Sequence, residues 1–437
     1  MIMDSDSVGG VDRRRLLGWG GLSAAGMVSA GAPLLGARPA RADAAPTGSG
    51  VPADTRPGGA YDRYMAKLAA EGRFSGVVLL SHRGRTVLSR CYGMADEERG
   101  VPNGEHTAFS LNSAGKPFHA VAILQLAQRG LLRLSDTVGT HLTGYAREIA
   151  EQVTIHHLLT GTSGMRTPDE DVQRVFQSRK EVHEFYERWA RQATPEAPPG
   201  TPSSHSGAEV AIPAQIIEAV TGQSYWDYVQ ENIFERCGMD GSGFYTRPQW
   251  LTDRRIAHPY MALTDGGHVD AVRHLDQGSS DPYVLGKNPG RAFIDAPGDG
   301  GFATAPDLVR FARALGDGTL LDRHYAELFT GPKIPLAPEG GGLARRAAPA
   351  DASFGAYQMP VGLVGGQWVW GRAGANPGVG AGWTIYPDTG WVGVILTNRD
   401  GAPLWEILEQ ETRAVIGPGR GAGTADRYAS GQLRSSR

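Results

Sequence analysis

Cysteine is scarce in this chain: among 437 residues only Cys91 and Cys237 carry a thiol. Two thiols exclude a disulfide framework, and with no Cys-x-x-Cys or Cys/His spacing they exclude a structural zinc site as well. Cys91 ends a strand-like stretch and Cys237 a helical one, so two buried thiols and a single long-range bridge both stay open. An excess of one charge is lacking too. The chain has 43 Lys and Arg against 46 Asp and Glu, a formal charge of −3, and no dense basic run. Nucleic acid and anionic lipid are therefore excluded as partners, since both need clustered cations. Gly115-Lys116 has neither the upstream glycine nor the following Ser/Thr of a phosphate-binding loop. No Gly-x-Ser-x-Gly elbow and no internal repeat is found either. The remaining composition, 41% hydrophobic and 20% charged, is that of a soluble globular chain with material for a buried core.

The one long uncharged run lies near the start. Asp12-Arg13-Arg14-Arg15-Leu16-Leu17 precedes an uncharged stretch from Leu16 to Ala37, and Ala40-Arg41-Ala42 offers a small-residue cleavage site. Residues 1–42 are thus expected to be a cleaved twin-arginine export signal, leaving no membrane span and a secreted or cell-envelope protein. Residues 43–60 read as a Pro/Gly/Ser linker without core residues, 61–416 as the folded body, and 417–437 as a disordered tail. The segment 335–353 reads as a flexible loop.

Within the body, β-rich runs sit at the two ends. Phe74–Leu80 and Arg85–Tyr92 read as a hairpin around Gly84, and Trp368–Gly374, Gly382–Tyr386 and Trp391–Asn398 follow one another late in the chain. Between them the signals are helical. Thr304 caps DLVRFARAL, Ser224 opens another helix, QIIEAV runs up to Gly222, and Ala402–Val415 follows the last strand. The expected fold class is α+β: one antiparallel sheet joining early and late strands, flanked by helices, with an inserted mainly helical subdomain.

The sharpest chemical signal is FSLNSAGKPFHAVAILQLAQRG, which holds Ser113-x-x-Lys116 ahead of an apolar helical run. Residues i and i+3 share a helix face, so the Lys116 amine sits beside the Ser113 hydroxyl and takes its proton if burial favours the neutral amine. Pro117 is tolerated only near a helix start, which places Ser113 at the N-terminal end, where free N–H groups favour a developing oxyanion. The adjacent His156-His157 pair points apart on a helix and is read as packing, so no metal and no cofactor is assigned.

With these residues the chain resembles the serine β-lactamase and penicillin-binding-protein superfamily, in particular its class C β-lactamase, D,D-peptidase and esterase branch. The resemblance runs in order through VTIHHLLTGTSGM, GQSYWDYVQENIFERCGM, GDGGFATAPDLVRFARAL and WGRAGANPG, from about Phe74 to about Asn398. It implies that Ser113 is the acylated nucleophile and Lys116 its base. The family's second motif, Tyr-x-Asn after Pro-Gly-Thr, is altered: after Pro199-Gly200-Thr201 comes Ser204-His205-Ser206-Gly207. His205 stands where the tyrosine belongs and would shuttle protons to the leaving group. Gly207 stands where the asparagine belongs, which weighs against β-lactam hydrolysis and peptide recognition.

The third motif reads Arg372-Ala373-Gly374 on a strand expected at a sheet edge. Arg372 would orient the substrate or its carboxylate, Gly374 would leave room for it, and the N–H groups of Ala375 and Ser113 would form the oxyanion hole. The reading is an exported serine hydrolase acting on a small-molecule or peptide ester or amide. An acyltransferase, a D,D-carboxypeptidase and a non-catalytic sensor of the same fold are its rivals. Oligomeric state is not set by the sequence.

Overall fold

Two apolar runs more than three hundred residues apart, at 77–80 and 391–397, become neighbouring strands buried on both faces. The computed structural model describes residues 50–168, 174–203, 207–263, 266–277, 297–336 and 352–417. Its main sheet is built from β1 (Gly76–His82), β2 (Arg85–Tyr92), β3 (Ile334–Pro335), β4 (Ala352–Gly355), β5 (Pro360–Val364), β6 (Gln367–Asn376), β7 (Val379–Tyr386) and β8 (Trp391–Thr397). Their order is β3-β4-β5-β6-β7-β8-β1-β2, antiparallel at each pairing. The early hairpin and the late meander thus join in one sheet, as their turn chemistry implied. The fold class is α+β.

Helices α1 (Ala60–Ala70), α2 (Pro117–Gln128), α3 (Ile155–Thr160), α4 (Arg179–Ala190), α5 (Ala208–Thr221), α6 (Ala305–Ala314) and α7 (Leu404–Ile416) accompany the sheet. Strand alternation sorts the core into two layers. Val78 and Leu80 face Tyr61, Met65 and Leu68 of α1 and Ile407 and Leu408 of α7. Val77 and Leu79 join the larger cluster that holds Phe118, Ile123 and Leu124 of α2 and Phe311 of α6. Helix α2 is almost wholly apolar, with His119 and Gln125 the polar side chains among its buried residues, because it is buried all round: every residue from Pro117 to Ala127 is enclosed. Each large side chain it buries contributes about 1.5–3 kcal/mol, which anchors the nucleophile segment in the centre of the molecule. Among the described residues no helix is long and apolar enough to cross a membrane.

Several expectations are corrected. The linker assigned to 43–60 does not reach that far as free chain. Ala53–Thr55 forms a 3-10 turn, Thr55 is fully buried with its hydroxyl donating to the Pro52 carbonyl at 2.8 Å, and Val51 packs on the α1/α7 layer. A short apolar contact and one satisfied hydroxyl suffice to dock a Pro/Gly-rich segment. Both cysteines are free, with Cys91 exposed. Helix α5 begins well before the QIIEAV run. The signal, the tail beyond residue 417 and most of the 335–353 loop lie outside the described residues, while the flanks of that loop are β3 and β4.

Candidate active site

Ser113 lies in a 3-10 turn, Asn112–Gly115, that feeds directly into α2 at Pro117. Asn112 holds φ at +48°, the left-handed region, a conformation that costs about 1–3 kcal/mol for a residue with a side chain. Tertiary bonds hold it there. The Asn112 side-chain oxygen accepts from Asn376 at the end of β6, and its carbonyl accepts from the Gly300 N–H at 3.1 Å. The outcome is a half-buried Ser113 whose Oγ accepts a hydrogen bond from Lys116 Nζ at 2.9 Å, with Lys116 only 6% exposed.

A second charged group, not singled out from the sequence, stands at the same amine. Asp299 Oδ2 is 3.5 Å from Lys116 Nζ. The segment Gly298-Asp299-Gly300-Gly301 threads between α5 and the nucleophile turn. A Cβ at Gly298 would meet the Val210 carbonyl at 2.2 Å, and a Cβ at Gly115 would meet the Gly300 carbonyl at 2.0 Å, so both contacts require glycine. Burial pushes the Asp299 carboxyl up, but Lys116 and Arg372 outweigh it and hold it below the usual carboxylate range. One turn beyond Lys116, His119 is fully enclosed, with Nδ1 2.6 Å from the Gly298 carbonyl. Burial brings its pKa down to about 4, so the ring is neutral at physiological pH.

Strand β6 forms the opposite wall. It is an interior strand rather than a sheet edge, yet β5 pairs with it only as far as Val361 opposite Trp370. Beyond Trp370 the ladder continues on the β7 side, and among the described residues no strand pairs with Arg372 to Asn376 on the other side. Gly374 packs on the nucleophile turn so closely that a Cβ there would lie 2.6 Å from the Ser113 nitrogen and 2.5 Å from the Ala114 nitrogen. Ala375 follows it and is exposed. Trp383 of β7 adds a bond from its indole N–H to the Ala114 carbonyl at 3.0 Å.

Arg372 is placed at the site but is committed to backbone. Its Nε donates to the Ser113 carbonyl at 2.8 Å and its Nη1 to the Gln358 carbonyl at 2.6 Å. Burial brings the guanidinium pKa down to about 10, partly opposed by Asp299, and it stays charged at neutral pH. Gln358 is itself left-handed, with φ +54°, and is tied to α3 through its N–H to Leu159 at 2.9 Å and its side-chain amide to Leu158 at 3.0 Å.

His205, expected in the tyrosine position, lies outside the described residues together with Ser204 and Ser206. Gly207 is described, and its neighbourhood explains the glycine. A Cβ there would lie 2.4 Å from the Trp189 ring of α4, so Trp189 fills the space an asparagine side chain would enter. Glu209, two residues on, is buried in the first turn of α5. Its carboxylate accepts from the Ser163 N–H at 2.9 Å and from the Ser203 hydroxyl at 2.7 Å, tying the loop after α3 to the altered motif. Burial pushes the Glu209 carboxyl up, against the hydrogen bonds of Ser163 and Ser203 and the charge of Lys116. His156 and His157 are used in packing: His156 Nδ1 is 2.8 Å from the Tyr357 hydroxyl, and His157 closes a capping box with Thr154.

A half-buried serine hydroxyl meeting a buried lysine amine, set between a central helix and a strand of an antiparallel sheet, defines the serine β-lactamase and penicillin-binding-protein superfamily. A family model described as Beta-lactamase matches residues 61–414, and the chain belongs to that family. It is 29% identical over 268 residues to the putative penicillin-binding protein PbpX of Bacillus subtilis (strain 168), covering 59% of each chain. With esterase EstB of Burkholderia gladioli it shares 38% identity over 109 residues, 24% of this chain and 28% of the other. The structure of a penicillin binding protein from Bacillus halodurans superposes with a TM-score of 0.65 at 24% identity, over 79% of this chain and 97% of that one. The chain spans between about half and three fifths of the length of the Bacillus subtilis relatives it matches.

Proposed function

We propose that this chain is an exported serine hydrolase that passes the acyl group of an ester or amide through Ser113 to water. The observation that carries the reading is the 2.9 Å contact between Lys116 Nζ and Ser113 Oγ beside β6, whose Gly374 packs on the nucleophile turn. Neutral Lys116 takes the hydroxyl proton as Ser113 Oγ attacks the substrate carbonyl. The oxyanion that forms is held by the N–H groups of Ser113 and Ala375, which border the Gly374 contact. His205 supplies the proton to the leaving group and activates the water that releases the acyl group. Arg372 serves by holding the carbonyl of Ser113, and its charge adds to the positive field at the site.

Gly207 and Trp189 favour esters over peptide amides as substrates. The second motif here presents no side-chain amide to a substrate N–H, and a tryptophan ring takes that space. The paired arginines, the uncharged run and the small-residue site within residues 1–42 support an enzyme that acts outside the cytoplasm, in the envelope or the medium.

The test is intact mass of the wild type and Ser113→Ala after exposure to a fluorophosphonate, activated acyl esters and a penicillin. A Ser113-dependent adduct is expected from the fluorophosphonate, with turnover of the esters faster than of the penicillin. Folded wild type that takes no label from any donor would sink the reading.

A further inference from the structure

We infer that Asp299 is a positioning residue of the Ser113–Lys116 pair: its carboxylate, 3.5 Å from Lys116 Nζ, stabilises the ammonium that forms when Ser113 gives up its proton. This rests on the reading that Lys116 is the base for Ser113. The step moves no electrons to or from an outside partner. The Ser113 O–H bond breaks as an N–H bond forms on Lys116. The Oγ–acyl bond forms as the carbonyl pair moves onto oxygen, and the positive charge appears beside Asp299.

Placement of the carboxylate is enforced by backbone rather than by a flexible contact. Oδ1 of Asp299 accepts from the Gly300 N–H at 2.9 Å. The flanking glycines Gly298, Gly300 and Gly301 all adopt positive φ, at +92°, +65° and +90°. The Gly298 carbonyl is bound by His119, the Gly300 N–H by the Asn112 carbonyl, and the Gly301 carbonyl by the Leu111 N–H. Every one of these anchors lies on the nucleophile turn, on Leu111 directly before it or on α2, so Asp299 and Lys116 are fixed to the same frame. The Lys116 side chain is 8% exposed and that of Asp299 is 29% exposed, so the pair spans from the interior to the cleft.

The charges around Lys116 make the arrangement reversible. Arg372 approaches from β6, Asp299 from the glycine segment, Glu209 from α5 and His119 from α2. With Lys116 neutral, Asp299 is balanced by Arg372. With Lys116 protonated, the same carboxylate faces two cations. His119 stays neutral and adds no third positive charge. A carboxylate alone would hold Lys116 as ammonium, whereas a carboxylate shared with Arg372 lets the amine lose and regain its proton.

The kinetic signature is specific. A carboxylate beside a base raises the pH at which the base becomes neutral, and it stabilises the charged form in the transition state. Asp299→Asn keeps an oxygen for the Gly300 N–H and removes only the charge, and Asp299→Ser is read in parallel as a second acceptor-bearing variant. The pH profile of kcat/KM for an activated ester is measured, with fluorophosphonate labelling of Ser113 and a thermal melt on each protein. In either folded variant the acid limb is expected to move to lower pH by about one unit or more, while the high-pH plateau falls about 10- to 100-fold. An acid limb that stays in place in a folded, labelled variant would overturn the inference and leave the hydrolase reading intact. Wild type that neither labels nor turns over would overturn both.

Discussion

Arg372 and Ser113, 259 positions apart, are joined by a 2.8 Å bond from the arginine Nε to the serine carbonyl. The second arm of the same guanidinium binds Gln358, so one side chain fixes the nucleophile turn to the β4–β5 connection and, through Leu158 and Leu159, to α3.

That fork cannot be replaced by an amine. Arg372→Lys keeps a charge but offers no planar pair of donors, and one of the two buried carbonyls loses its partner. We expect kcat/KM to fall about 10- to 100-fold and stability by roughly 1–3 kcal/mol, measured by ester turnover and urea unfolding. A lysine variant with wild-type values would show that charge alone is needed.

Gly374 is predicted to tolerate no side chain. A methyl group there would press on the nitrogens of Ser113 and Ala114 and on the Leu111 carbonyl, all backbone. Gly374→Ala should therefore displace the nucleophile turn and cut acylation by about 100-fold or more, since a misplacement of about 1 Å has that effect. The measurement is the rate of fluorophosphonate labelling. Labelling at the wild-type rate would mean that the turn and β6 separate without cost.

At Gly207 the expected outcome is a coupling. Gly207→Asn alone forces its Cβ into Trp189 and should destabilise by about 1–3 kcal/mol or more. Trp189→Ala alone leaves a cavity worth about 3–5 kcal/mol. Combined, the two should cost less than their sum, because each relieves the defect of the other. Strict additivity in urea unfolding would show that Trp189 is not what excludes the asparagine.

His119 gives the fold an acid limit. Its folded pKa is about 4, below the roughly 6.5 of a free histidine, so between those values the unfolded chain binds a proton that the folded chain refuses. The contribution is complete above pH 6.5 and declines as pH falls towards 4, by up to about 3 kcal/mol. Comparing wild type with His119→Gln at pH 7 and pH 4.5 isolates it from the carboxylates. The glutamine variant should lose less stability on acidification, and an equal loss in both proteins would contradict the assignment.

Local signals in the sequence were sufficient where the chemistry is local. Ser113 and Lys116 meet because three residues make one helical turn, and Thr304 caps its helix by accepting from the Asp307 N–H, as the four-residue pattern implies. Short β-rich runs bounded by turn residues placed the early hairpin and the late meander correctly. What stayed hidden depends on approach between distant segments. Asp299 looks like a loop residue among glycines until those glycines are seen to wrap the nucleophile turn. Trp189 looks like an ordinary amphipathic position on α4 until it meets Gly207. Strands β4 and β5 are broken by the Gly355-to-Pro360 connection and carry too little alternation to stand out from a loop. The linker was read from composition alone, and composition does not register the few contacts by which Val51 and Thr55 dock.

The sheet order also governs when the site comes into being. Strand β1 is flanked by β2 on one side and by β8, the last strand made, on the other. The nucleophile turn leaves the ribosome early, yet Arg372, Gly374 and Asn376, which hold it in shape, are synthesised after more than half of the chain has followed. Contacts of such long sequence separation close slowly, because loop-closure entropy precedes the gain from pairing. A nascent or truncated chain that ends before β6 therefore carries the serine and lysine in sequence without the contacts that hold their turn in shape.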